Sequence, residues 1–246
     1  MGRWSRLAGR IFLDWLSLPS ELKWLDVGCG TGAFTEIIKQ SSGASEIVAI
    51  DPSTAQVSYA QSRESAEGVQ FQVADARSMP LANERFDVAV SALVLNFIPD
   101  RGKAVSEMRR VVRRGGTAAA YVWDFAGQRG TSQHLHSAVM ELESPGYRPA
   151  GLNAESTTQD NLKTLFEAAG LNDVITRSFE IRVTFPDSDD YWDSHTKFTS
   201  PIGSHIQNMT EENRQGLRQM VQARLPFDDH GAISHSARVN AVKGLV

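Results

Sequence analysis

Three glycines within five residues, Gly28, Gly30 and Gly32, separate a short apolar run at 23–27 from a helix-forming segment that starts at Ala33. A strand that runs through such a turn into a helix commits the chain to an α/β arrangement. The glycines let the backbone bend tightly and keep side chains out of the space between it and a small ligand. Gly28-x-Gly30-x-x-Ala33 also satisfies a dinucleotide fingerprint. The turn alone therefore does not separate a nicotinamide cofactor from another adenosine ligand, and a turn that only reverses the chain is the plainest alternative.

The spacing of acids narrows the choice. The next apolar run, 46–50, ends in Asp51-Pro52, so a carboxylate follows the glycine turn by about twenty residues, where it can accept both hydroxyls of an adenosine ribose. The run at 69–74 ends likewise in Asp75-Ala76. An Asp beside a backbone amide can read an adenine edge, accepting from the exocyclic amine while the N–H donates to a ring nitrogen. Ligands on open parallel sheets bind outside the carboxyl ends of strands, which would put the turn, Asp51 and Asp75 along one crevice.

Strand-like runs at 23–27, 46–50, 69–74, 86–91 and 117–123 alternate with helical candidates at 33–40, 55–64 and 103–113. The last of these carries Arg109, Arg110, Arg113 and Arg114 near its end, with Gly115-Gly116 as the stop. Such alternation predicts right-handed crossovers and a parallel sheet with helices on both faces. Upstream, Trp4, Leu7, Ala8, Ile11, Phe12 and Trp15 form the stripe of an amphipathic helix that Pro19 closes. Downstream, 127–157 is rich in Gly and Pro around a short helix at 134–142. Thr158 then caps a helix that ends at Gly170. An edge strand at 174–185, an irregular stretch 186–229 with one helix near 210–224, and a final strand at 232–242 complete the chain.

These blocks resemble the class I S-adenosylmethionine-dependent methyltransferases, in particular the small-molecule branch with ubiquinone/menaquinone-biosynthesis-like enzymes. The likeness is carried by Leu25-Asp-Val-Gly-Cys-Gly-Thr-Gly32, Ala49-Ile-Asp-Pro-Ser53, Val73-Ala-Asp-Ala76 with Met79-Pro-Leu81, and Phe86-Asp-Val-Ala-Val-Ser-Ala-Leu-Val-Leu-Asn-Phe-Ile-Pro-Asp100. The resemblance implies a Rossmann-like, seven-stranded, mostly parallel sheet with helices on both faces, an antiparallel last strand and a lid built from insertions. Residues 1–246 then read as one methyltransferase domain. Within it, 1–126 are the N-terminal cap helix and cofactor-binding core, 127–157 and 186–231 are lid insertions, and 158–185 and 232–246 complete the sheet.

The resemblance also implies roles. Gly28, Cys29, Gly30 and Gly32 meet the methionine part of S-adenosylmethionine, and Asp26 steadies the turn or the ammonium group. Asp51 takes the ribose, Pro52 and Ser53 border the adenine, and Asp75 and Ala76 meet its edge. Ser91, Ala92 and Leu93 flank the cofactor, Asn96 faces the methyl group, and Trp4 or Arg6 reaches the carboxylate. The product is S-adenosylhomocysteine.

A sulfonium methyl is already activated, so an aligned acceptor needs a general base only when it carries a tightly held proton. His134, His136, His195, His205 and His230 fall in the two irregular stretches with Tyr147, Tyr191 and Trp192, and a solvated surface role is the alternative for each histidine. Asn96, Tyr191 and His195 are the catalytic candidates. No His, Cys, Asp and Glu grouping has metal-ligand spacing, so no metal is expected. The rival readings are an NAD(P)-dependent oxidoreductase, which lacks a Tyr-x-x-x-Lys pair, and a protein that binds S-adenosylmethionine without turnover.

With 25 Lys and Arg against 29 Asp and Glu, the net charge of −4 argues against nucleic acid and for a small, partly apolar acceptor. The single cysteine, Cys29, allows no intramolecular disulfide. Asp14 interrupts the only run that could serve as a secretory core, and nothing approaches the ~18 apolar residues of a span. A cytoplasmic protein without a membrane partner, monomeric or homodimeric, is expected.

Overall fold

Seven strands make one sheet in the order β3-β2-β1-β4-β5-β7-β6. They are β1 (Lys23–Val27), β2 (Glu46–Asp51), β3 (Val69–Val73), β4 (Phe86–Ala92), β5 (Val112–Trp123), β6 (Asn172–Phe185) and β7 (Ile233–Leu245). The computed structural model describes residues 2–143, 154–197 and 201–246. The pairings among β3, β2, β1, β4 and β5 are parallel, while β7 runs antiparallel to both β5 and β6. The order reverses beside β1, so the crevice expected at such a switch point opens above the glycine turn.

The central strands are apolar nearly throughout because both faces are covered. Trp24, Val88, Val90, Ala119 and Tyr121 belong to one apolar cluster, which includes residues of α1 (Gly2–Leu16) and α2 (Ala33–Ser41). Leu25, Val48, Ala89 and Ala118 belong to the other, with α4 (Arg101–Val111) and α6 (Gln159–Ala168). The short helix α3 (Thr54–Gln61) joins β2 to β3 and is capped by Ser53, which accepts the Gln56 N–H. Asp100, Thr158 and Thr210 cap α4, α6 and α9 (Glu211–Gln222) in the same way.

The amphipathic stripe of α1 packs as its spacing predicts. Phe12 is fully buried, with ring centroids 4.7 Å from Tyr121 and 6.0 Å from both Phe34 and Trp15. A Cβ at Gly9 would lie 2.8 Å from the Phe34 ring, so glycine permits the close approach of α1 to α2.

Two expectations need correction. Gly115-Gly116 do not stop a helix: α4 ends at Val111 and β5 begins at once, so Arg113 and Arg114 belong to a strand. Arg113 reaches back to Asp87 at 2.5 Å, and the β4–β5 register shifts between Phe86 and Val88. A Cβ at Gly116 would meet the Asp87 carbonyl at 2.6 Å, so the glycine pair serves this irregularity. The stretch 186–229 also holds more helix than its weak periodicity suggests. Besides α9 it forms α7 (Ser188–Thr196), capped by Asp187, and α8 (Pro201–Gln207).

Helix α5 (Gln133–Leu142) of the first excursion packs with α9 of the second, and Arg224 pairs with Glu141 between them. Leu135, Val139, Tyr191, Ile206 and Leu217 from these excursions join the α1 face of the core. Pro145, Gly146, Tyr147, Pro149 and Gly151 lie outside the described residues. Among the described residues, no helix is long and apolar enough to cross a membrane.

Replacing Phe12 by Ala leaves a cavity among three aromatic rings and should lower the unfolding free energy by about 3–5 kcal/mol. Leu7, 42% exposed on the same helix, serves as the control, and its change to Ala should cost under about 0.5 kcal/mol. Urea unfolding of both variants measures the contrast.

Candidate functional site

The glycine turn is held by the strand beside it. Gly28 and Cys29 N–H both donate to the Ile50 carbonyl, at 2.8 and 2.9 Å. Asp51, at the end of β2 and 8% exposed, accepts the Gly30 N–H at 3.0 Å through one carboxylate oxygen and the Ser53 N–H at 2.9 Å through the other. A carboxylate offers about four acceptor positions, so two remain for a ligand's hydroxyls. Gly28, Gly30 and Gly32 have φ of +81°, +53° and +78°, and a Cβ at Gly28 would fall 2.5 Å from Val94. Cys29 is buried within the turn, and burial pushes its thiol far above the ordinary thiol range, which leaves it a packing residue. Pro52 is exposed beside the half-buried Ser53.

Asp26 is fully buried. It accepts the Thr35 hydroxyl of α2 at 2.6 Å through one oxygen, while the other has no partner. Burial raises its carboxyl to about 7 against the opposing Thr35 bond, with the nearby Asp51 charge adding to the rise. A buried carboxylate with a vacant oxygen favours a cationic partner.

Beyond β3, Asp75 is partly exposed and is gripped by Arg77, whose Nε lies 3.0 and 3.1 Å from the two oxygens and whose Nη2 lies 2.6 Å from Oδ2. These bonds hold the Asp75 carboxyl down at about 2. Ala76 beside it is buried. Beyond β4, Ser91 is fully buried with an unpartnered hydroxyl, Ala92 is half-buried, and Leu93 adopts φ +62° while donating to the Tyr121 carbonyl at 2.8 Å. A left-handed leucine is strained and persists because its surroundings fix it. Asn96 is 4% exposed and neither side-chain polar atom has a partner.

Arg6 donates to Glu36 of α2 at 3.0 Å. Glu36 also pairs with Arg63, which in turn donates to the Thr31 carbonyl of the glycine turn at 2.9 Å. The cap helix is thereby tied to the turn through α2. Spacing could not reveal this, because the partners are far apart in the chain.

The excursions bring Tyr191 and His195 together, with ring centroids 4.7 Å apart. Tyr191 is wholly buried, its oxygen accepts the Leu135 N–H at 3.2 Å, and burial raises the phenol well above its ordinary range. His195 Nδ1 lies 2.7 Å from the Tyr191 carbonyl and Nε2 lies 3.4 Å from the Thr131 hydroxyl. Both are committed to internal bonds. His134 and His136 stand on the same side, His205 pairs with Glu143, and His230 is exposed. Sequence reasoning passed over His235, which sits 5.0 Å from the His134 ring. Its alternation with Ile233, Ala237 and Val239 was the available signal that it faces inward. Among the described residues, no group of three His, Cys, Asp or Glu is placed to hold a metal ion.

Buried polar atoms without partners are uncommon in folded proteins. Here Asp26 Oδ1, Ser91 Oγ and both polar atoms of Asn96 are such atoms, in the last residues of β1 and β4 or just beyond them in the chain. An anion, a hydroxyl and an amide suit a cationic, polyhydroxylated ligand such as S-adenosylmethionine.

Residues 25–120 match the family model described as a methyltransferase domain. The chain is 37% identical over 120 residues to a malonyl-[acyl-carrier protein] O-methyltransferase of Pseudescherichia vulneris, across 49% of this chain and 45% of that protein. It is 33% identical over 161 residues to methyltransferase GfsG of Streptomyces halstedii, across 64% of this chain and 55% of that one. The chain thus spans about half the length of the curated relatives it matches. The solved structure of BH2331 from Bacillus halodurans shares the fold at a TM-score of 0.64 and 16% identity, across 96% of this chain and 97% of that one. Family model and relatives thus agree in likening residues 25–120 to a methyltransferase domain, and the whole chain shares the fold of the solved structure.

Proposed function

We propose that the protein transfers a methyl group from S-adenosylmethionine to a small-molecule acceptor by metal-independent in-line displacement. The observation that carries this reading is the Asp51 clamp on the glycine turn, together with the unpartnered buried oxygen of Asp26 on the neighbouring strand. Bound S-adenosylmethionine supplies a sulfonium methyl already activated for displacement, which leaves the protein alignment and water exclusion.

In this reading the backbone of Gly28, Cys29, Gly30 and Gly32 receives the methionine end, and the free oxygen of Asp26 faces its positive charge. Asp51 offers its two remaining acceptor positions to the ribose. Pro52 and Ser53 border the adenine, and Ala76 flanks its edge. An adenine amine competes with Arg77 for Asp75, so cofactor binding loosens that ion pair. Ser91, Ala92 and Leu93 form the wall on the β4 side, with Asn96 toward the acceptor. Arg6 acts from the cap helix through Glu36. The described parts of 127–157 and 186–231 form a lid over the acceptor, while 158–185 and 232–246 complete the sheet. The packing of α5 on α9 and the buried Tyr191 and Trp192 support that role.

The electrostatics give a pH signature. The folded protein holds the Asp26 proton up to about pH 7, against an unfolded value of 3.8. This group's stabilising contribution is therefore full below the unfolded value and is lost as pH rises through about 7. Asp26→Asn removes the titrating charge, so its melting temperature should fall less than wild type between about pH 5 and about pH 8. Thermal melts of the ligand-free proteins measure the two slopes; equal slopes would contradict the assignment.

Calorimetry should show micromolar binding of S-adenosylhomocysteine, on the order of 8 kcal/mol, and none of NADH. Asp51→Ala should weaken that binding by about 1–3 kcal/mol through lost charge-assisted hydrogen bonds. Binding of NADH in place of S-adenosylhomocysteine would restore the oxidoreductase reading. Tight S-adenosylhomocysteine binding without product from any acceptor in a broad panel would favour a non-catalytic binding protein.

A further inference from the structure

Between β3 and β4 the chain leaves the sheet, and two side chains of α4 supply hydrogen bonds to its backbone. Glu107 Oε2 accepts the Met79 N–H at 2.8 Å. Arg110 Nη2 donates to the Met79 carbonyl at 3.0 Å, while Nη1 donates to the Leu81 carbonyl at 2.8 Å and to Asn83 Oδ1 at 2.7 Å. The two side chains also bind each other as a fork, Nε to Oε1 at 2.6 Å and Nη2 to Oε2 at 2.7 Å. Pro80, between the gripped residues, has no N–H to offer.

The pair is built to be firm. Glu107 and Arg110 stand three residues apart on α4, with side chains 18% and 31% exposed. The Arg110 hydrogen bonds hold the Glu107 carboxyl below its ordinary range against the cost of burial, and the Met79 N–H acts in the same direction. Bidentate, charge-assisted bonds are short and directional, and partial burial screens them less than an exposed pair. Met79 and Leu81 are buried in the same apolar cluster as Met108 and Val111 of α4, so packing and hydrogen bonding act on one segment.

What the pair holds is the downstream end of the turn that carries Asp75 and Ala76. The upstream end is fixed by the Ala74 N–H, which donates to the Asp51 carbonyl at 3.1 Å. Between these anchors, Asp75 accepts the Arg77 N–H at 2.8 Å through its side chain and the Ser78 N–H at 3.0 Å through its carbonyl. Those bonds shape the turn but tie it only to itself. The Arg77 guanidinium, with its side chain 41% exposed, grips Asp75 from within the same turn and moves with it. The position of the turn relative to Asp51 is therefore set at Ala74 and at Met79.

In the S-adenosylmethionine reading, Asp75 accepts the purine amine and the Ala76 N–H donates to the ring nitrogen beside it. Hydrogen bonds weaken steeply outside a narrow range of distance and angle, so both contacts need the turn in one place. We propose that Glu107 and Arg110 are positioning residues for the adenine: through the backbone at Met79 and Leu81 they set the turn, and so decide how strongly the site prefers a 6-aminopurine to a 6-oxopurine. This assignment rests on the S-adenosylmethionine reading of the crevice.

The test measures, by calorimetry, the affinities of the protein for S-adenosylhomocysteine and for S-inosylhomocysteine. The second ligand differs at the purine edge, where a 6-oxo group and an N–H replace the amine and the bare ring nitrogen. Wild type should prefer S-adenosylhomocysteine by about tenfold or more, the worth of hydrogen bonds to a charged group. Glu107→Ala, which frees the Met79 N–H and one side of Arg110, should shrink that preference to about threefold or less. Glu107→Gln, whose side-chain oxygen can still accept the Met79 N–H, should keep most of it. Arg110→Lys, a milder change that keeps the charge and loses the fork, should fall between the two. A pair that only stabilises the fold would weaken both ligands equally. An intact ratio in Glu107→Ala and Arg110→Lys would thus overturn the proposal and leave the cofactor reading in place, as would equal wild-type affinities for the two ligands. Binding of neither ligand by the wild type would remove the S-adenosylmethionine reading and this inference with it.

Discussion

The carboxylate of Asp51 is the constraint on which the site depends. It stands at the end of β2 and takes one N–H from the turn after β1 and one from the turn after β2. The Ile50 carbonyl just before it takes two more from Gly28 and Cys29. Charge-assisted bonds to backbone amides are short and strong, and these fix a left-handed glycine turn that could otherwise adopt many shapes. The geometry of the ligand crevice is therefore set by a strand neighbour rather than by the turn itself. The same carboxylate keeps acceptor capacity for a ligand, so support and recognition share one group.

The electrostatics around this clamp are arranged for a cation. The charge of Asp51 adds to the cost of ionising Asp26, which is removed from water with only Thr35 to satisfy it. Such a pair is unfavourable when the site holds no positive charge and favourable when it does. Around the rim, Glu36 gathers Arg6 and Arg63, and Arg63 donates to the Thr31 carbonyl. Surface pairs of this kind contribute little to stability one by one. Their value here is positional, since they join cap helix, α2 and glycine turn.

A second centre forms where the excursions meet β6 and β7. Tyr191 from α7, His134 from α5 and His235 from β7 converge around Phe185. Segments far apart in the chain thus meet in one buried aromatic cluster. Burial lowers the pKa values of His134 and His235 and so favours their neutral, hydrogen-bonding form over the charged one.

What was legible in the sequence was local. Strand β1, the glycine turn, the acid ending β2 and the stripe of α1 could be read because each depends on residues within a few positions, through backbone freedom, apolar period and capping. Arg113 misled, because its pairing with Asp87 and the close approach at Gly116 turned an apparent helix stop into a strand irregularity. Helix α7 was obscured because its burial of Tyr191 and Trp192 depends on partners elsewhere in the chain. His235 was hidden inside a strand, and nothing in the spacing showed that Arg77 grips Asp75. The sequence by itself therefore determined the fold class and the glycine turn, since these follow from short-range periodicity and steric rules. Only the tertiary structure decided which polar atoms remain unpartnered, which histidines are buried and where Asp26 titrates, because burial and long-range hydrogen bonding exist only once the chain has packed.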